Sequence, residues 1–137
     1  MIYFISCHVD ITYEDFFIKY KERIDLAVND TDSWFIMGDA NRADLYAQNY
    51  LFEKVNNNRI MVYQCKNHHK NNPHCYPTRG NFKNHTQKDK AMTQHSNVDI
   101  LWIRPKEDTK LMYGDNYNEN RISGTESKFI RRNKTLV

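Results

Sequence analysis

At 137 residues, 39% of them apolar and 27% charged, the chain has the size and composition of one globular domain and leaves little room for a second. A formal charge of only +3 argues against the strong whole-molecule field of a dedicated nucleic-acid binder. No run approaches the roughly 18 apolar residues that a bilayer-crossing helix needs.

The run Ile2–Ser6 is short, apolar and flanked by polar residues, as a buried strand is. The apolar stretch around it meets His8 and Asp10 too early for a signal-peptide core. Three cysteines, Cys7, Cys65 and Cys75, form no even disulfide framework, so the expected location is cytoplasmic. Thr12 with Asp15 three residues on marks a helix start, and Phe16, Tyr20, Ile24 and Val28 recur every four residues, which predicts a helix over about 13–28. Ser33–Met37 predicts a second strand that stops at Gly38-Asp39, and Ala43–Phe52 a second helix. Arg59–Tyr63 predicts a third strand. Residues 64–82 hold Pro73, Pro77 and Gly80 without a steady period and read as loop. Residues 84–95 suit a helix, and Val98–Ile103 a fourth strand ended by Pro105. A further polar loop follows, and Ser123 caps a last helix running to about 133.

Strands alternating with helices predict an α/β fold with a parallel sheet of four or five strands between helical layers. Ligands of such sheets settle outside the carboxyl ends of the strands, where helix amino termini offer free N–H groups and the positive end of a dipole. The segments expected there are Ser6–Thr12, Gly38–Asp44, Gln64–Phe82 and Arg104–Thr125. Ser123-Gly124-Thr125 opens a helix with two hydroxyls around a glycine, a compact cradle for one phosphate, or an ordinary serine cap. In Gly38-Asp39-Ala40-Asn41-Arg42-Ala43-Asp44 small residues allow close backbone approach. Asp39 or Asp44 would accept hydrogen bonds from sugar hydroxyls there, or act as a helix cap and dipole partner. Cys7 beside His8 is the arrangement of a thiol nucleophile or of an inert buried cysteine. Cys65, His68, His69, His74 and Cys75 supply zinc-type donors, but their spacing matches no standard pair of half-sites, so no metal and no cofactor is expected.

These turns, in this order, resemble the SLOG superfamily of Rossmann-like nucleotide-binding proteins, which includes the DNA-processing protein A family and the lysine-decarboxylase-like phosphoribohydrolases. IYFISCHVDIT matches as first strand and turn, FIMGDANRADLYAQNYL as second strand, turn and helix, then RIMVY, then VDILWIRP, and SGTESKFIRR as the distal phosphate loop. Cys7 and Arg42 stand where the family's turns carry glycine. Glu126 follows Thr125 directly, so the phosphoribohydrolase signature is incomplete.

The resemblance implies a Rossmann-like three-layer sandwich, one domain over 1–137, binding a nucleotide or nucleotide-derived metabolite. The expected ligand contacts are Ser6, Asp10, Gly38, Ala40, Arg42, Asp44, Ser123, Gly124 and Thr125. Asp39 is the expected catalytic carboxylate for cleavage or transfer at an N-glycosidic bond, where it would stabilise oxocarbenium-like charge. The alternatives are a non-catalytic nucleotide sensor or sequestering protein, and a single-stranded nucleic-acid binder using the basic end Lys128, Arg131, Arg132 and Lys134. A homo-oligomer is compatible with all three, and a membrane partner is not expected.

Overall fold

The structure is a computed structural model that describes residues 1–66, 69–120 and 122–135. Five strands, β1 (Ile2–Ser6), β2 (Trp34–Met37), β3 (Ile60–Cys65), β4 (Thr78–Phe82) and β5 (Val98–Leu101), form one all-parallel sheet in the order β4-β3-β2-β1-β5. The helices are α1 (Tyr13–Val28), α2 (Ala43–Leu51), α3 (His85–Gln94), α4 (Lys106–Tyr113) and α5 (Gly124–Thr135). Together they make a Rossmann-like three-layer α/β sandwich. Among the described residues no helix is long and apolar enough to cross a membrane.

The layers follow from the period-two geometry of the strands, which sends successive side chains to opposite faces. Ile5, Phe35, Met37, Ile60 and Val62 meet α1 and α2 in the larger core, while Phe4, Ile36 and Tyr63 meet Ala91 and Met92 of α3 in the smaller one. Helix α1 forms because Phe16, Tyr20, Ile24 and Ala27 place a buried stripe at helical spacing and the Thr12 hydroxyl accepts from Asp15 N–H at 3.1 Å. Tyr20 does more than fill that core. Its hydroxyl donates to the Ser6 carbonyl at 2.7 Å and accepts from Trp102 N–H at 2.9 Å, so one buried phenol holds the ends of β1 and β5 together. Helix α5 is fastened from the other side by Arg132, whose guanidinium pairs with Asp99 at 2.8 Å and donates to the Thr93 and Ser96 carbonyls.

Two stretches expected to be loop are regular. Within 64–82, Thr78–Phe82 is the edge strand β4. It pairs with β3 through an irregular register near Tyr63 and Cys65, has Asn81 at φ 67°, and buries none of its residues. Residues 106–113 form α4, which likewise has no buried residue. Neither segment faces a core on a fixed period, so neither has the apolar pattern by which strands and helices are recognised.

Candidate functional site

The chain leaves β1 through α1 to build β2 on one side and returns, through α3 on the opposite face, to place β5 on the other. The loops after β1 and β5 therefore diverge, and the crevice between them is the usual ligand position of an open parallel sheet. A pocket of about 140 Å³ opens there, walled by Cys7–Asp10, by Arg104 and Tyr113, and by Ser123–Glu126 and Lys128 of α5.

The β1 side is held by a closed set of polar contacts. His8 Nε2 accepts from Arg104 N–H at 2.9 Å, so the imidazole proton lies on Nδ1. Burial, and next the Arg104 guanidinium, lower the His8 pKa and keep the ring neutral. Arg104, 9% exposed, donates Nη2–H to Asp10 Oδ1 at 3.0 Å, and the Tyr113 hydroxyl donates to Asp10 Oδ2. Burial pushes the Asp10 carboxyl up, but the bonds from Tyr113 and Arg104 outweigh it and the net shift is downward.

The α5 side is open. Ser123 Oγ accepts from Glu126 N–H at 3.1 Å and caps the helix, as its position suggests. Gly124 would have nothing within 4 Å of an added Cβ. Thr125 is 2% exposed, yet its hydroxyl has no hydrogen-bond partner among the described residues. Such a group is uncommon in a folded protein, because burying a hydroxyl unpaired costs on the order of 1–3 kcal/mol. Lys128 adds positive charge at the same wall, its Nζ 3.8 Å from Asp89 and 5.5 Å over the Phe4 ring. Glu126, by contrast, has no ion-pair or hydrogen-bond partner for its carboxylate among the described residues.

Of the residues singled out in the sequence, Asp10, Ser123, Gly124 and Thr125 line this pocket, whereas Ser6, Gly38, Asp39, Ala40, Arg42 and Asp44 do not. Ser6 is 1% exposed beneath it, with its hydroxyl unpartnered. The Gly38 turn is filled by the protein itself: a Cβ on Gly38 would stand 2.6 Å from Asp44 Oδ2 and 3.4 Å from Lys88 Nζ. Asp44 Oδ2 accepts from Ala40 N–H at 2.9 Å, and burial raises its pKa. Asp39 is 2% exposed; one carboxylate oxygen accepts from Lys70 N–H at 2.9 Å and the other lies 3.7 Å from buried Lys88 Nζ. Arg42 is exposed at φ 62°, ψ −86°, and Ala43 N–H bonds the Asn41 carbonyl at 2.9 Å, a γ-turn in a backbone region that favours glycine.

Burial drives the Cys7 thiol upward, away from a thiolate nucleophile. Cys65 Sγ approaches His85 Nδ1 at 3.5 Å, and His74 Nε2 bonds Asn49 at 2.7 Å while its ring stacks on Phe52. His68 lies outside the described residues, among which no three His, Cys, Asp or Glu side chains converge as a metal set would. Of the basic end, Arg132 and Lys128 face inward to Asp99 and Asp89, and the Lys134 side chain lies outside the description.

Sequence reasoning passed over Arg104 and Tyr113, and it named His8 only as a neighbour of Cys7, Glu126 only as a departure from a family signature and Lys128 only as part of a basic end. His8 and Arg104 each stand just past a strand, a position that signals this edge. Tyr113 rides on α4, which has no buried apolar stripe. No family model, curated protein or solved structure matches this chain.

Proposed function

We propose that the pocket between β1 and β5 binds the phosphate end of a nucleotide or nucleotide-derived metabolite. The observation that carries this reading is the buried, unpartnered Thr125 hydroxyl beside Gly124, at a helix amino terminus whose first turn walls the pocket. A phosphate oxygen there would accept from that hydroxyl and from the free N–H groups of the first turn, with Lys128 and Arg104 supplying charge. At about 140 Å³ the pocket is smaller than whole-ligand sites usually are, so it suits one end of a ligand whose remainder lies outside it.

Binding without chemistry is the reading that the geometry favours, because Asp39 is buried, paired with Lys88 and absent from the pocket wall. Of the two carboxylates in that wall, Asp10 is committed to Arg104 and Tyr113, which leaves Glu126 as the one able to act on an N-glycosidic bond.

Incubation with a nucleotide panel, followed by mass spectrometry and calorimetric titration of Thr125→Val, tests the proposal. Intact ligand is expected, with affinity lowered on the order of tenfold in the variant and the thermal midpoint of the free protein level or raised, since the methyl replaces a buried hydroxyl that makes no bond within the protein. Equal affinities for wild type and variant remove the phosphate assignment. Altered products that disappear in Glu126→Gln would make the protein an enzyme.

A further inference from the structure

Beside the Asp10–Arg104 pair lies a second cavity, of about 360 Å³. Asp10 and Arg104 line both cavities, so the two adjoin at one ion pair. Trp102, just past β5, is half-buried, and Lys19 Nζ stands 5.2 Å over its ring centre. Because Lys19 lines the second cavity too, that face of the indole looks into it. Met112 of α4, 49% exposed, supplies a thioether to the same lining. An indole face and a polarisable sulfur suit a flat aromatic group. The polar part of the lining is rich in acceptors: Asp15 and Asp108 face the cavity, and neither carboxylate takes a hydrogen bond or ion pair from another described residue.

We infer that this second cavity seats the base of the nucleotide whose phosphate lies at the start of α5, and that it selects a base carrying an amino group, namely adenine, guanine or cytosine. The inference rests on the proposed phosphate site, where the unpartnered Thr125 hydroxyl is the independent sign of a ligand. The chemistry of selection is direct. An exocyclic amino group donates to a carboxylate, whereas uracil and thymine place a carbonyl on each side of their single ring N–H, so a carboxylate meets lone pairs. Lys19 gives up the ring face to the base, since an exposed cation–π contact is weaker than base stacking on an aromatic side chain.

Trp34→Phe leaves Trp102 as the sole indole of a chain with two tryptophans and makes it a local fluorophore. That protein is titrated with AMP, GMP, CMP, UMP and ribose 5-phosphate. The amino-bearing nucleotides are expected to quench Trp102 and to bind on the order of tenfold more tightly than UMP or ribose 5-phosphate. Trp102→Leu should erase that margin with ribose 5-phosphate binding unchanged. The double variant Asp15→Asn, Asp108→Asn alters only side chains without partners, so it tests base preference even if Trp102→Leu misfolds; its preference over UMP should vanish. Nucleotide binding with unaltered Trp102 emission, or with no preference over UMP and ribose 5-phosphate, overturns the base site and leaves the phosphate site standing. If none of the five binds, or if Thr125→Val leaves all their affinities untouched, the phosphate site falls and takes the base site with it.

Discussion

Two turns on the same sheet edge, Gly38–Asp44 after β2 and Ser123–Thr125 into α5, are built from similar small and polar residues and have opposite fates. At Gly38 the room left by the missing side chain is occupied by the Asp44 carboxylate and the Lys88 ammonium, and Asp39 is consumed in holding Lys70 and Lys88. At Gly124 the room stays empty and the neighbouring Thr125 hydroxyl is unsatisfied. A glycine in a turn on this sheet edge thus has two physical uses, to admit a ligand or to admit the protein's own charged side chain. The residue types alone do not separate them; the contacts of the nearest carboxylate and hydroxyl do.

The largest effect that would test this contrast lies in the closed turn. Lys88→Met leaves Asp39 buried without its counter-charge and should cost on the order of 3 kcal/mol, read as a shift in the urea midpoint. Asp39→Asn added to it should restore much of the loss, because the neutral amide still accepts from Lys70 N–H. Affinity for the best ligand of the panel should not move in the double variant. If it collapses there while the fold is intact, the Gly38 turn belongs to the binding site after all.

The paired glycine substitutions are the intermediate case. Gly38→Ala drives a methyl to 2.6 Å from Asp44 Oδ2, which is anchored by Ala40 N–H, and should destabilise by about 1–3 kcal/mol. Gly124→Ala meets nothing within 4 Å and should leave stability level or raise it by up to about 1 kcal/mol, yet weaken ligand binding. Thermal midpoints that fall equally in both variants would erase the distinction between a filled turn and an open one.

Much of this architecture is legible in the residues. Phe16, Tyr20 and Ile24 announce α1, and the apolar runs at Ile2–Ser6, Ser33–Met37 and Arg59–Tyr63 announce strands, because their side chains answer to a buried face. Thr78–Phe82 and Lys106–Tyr113 answer to none: β4 takes its regularity from pairing with distant β3, and α4 has only the local start at Pro105 with Glu107 and Asp108 in its first turn, while Tyr113 ties its end to distant Asp10. The site divides the same way. Ser123-Gly124-Thr125 signals a cradle through local helix-start chemistry, and the structure leaves its space open. Whether Asp39 faces solvent or Lys88 depends on a residue 49 positions away, which no local pattern encodes.

The smallest effect is a pH dependence whose sign should differ between the closed turn and the β1 wall of the open pocket. Asp44, in the closed turn, has a folded pKa raised above its ordinary 3.8 by burial. As pH rises through 3.8 toward that raised value the unfolded chain loses its proton first, so stability drains away with rising pH. His8, at the open pocket, has a folded pKa lowered below 6.5, chiefly by burial. As pH falls below 6.5 the unfolded chain gains its proton first, so stability drains away with falling pH. Other groups titrate over the same range, His95 among them with a lowered pKa, and they cancel when each variant is compared with wild type at every pH. Asp44→Asn, which keeps an acceptor for Ala40 N–H, should gain on wild type as pH is raised above 3.8, and His8→Gln should gain as pH is lowered below 6.5. Urea midpoints across pH 3–8 measure both differences. Two flat difference curves would mean that neither group is held in its neutral form, and two curves of the same slope would deny that the closed turn buries an acid while the open pocket buries a base.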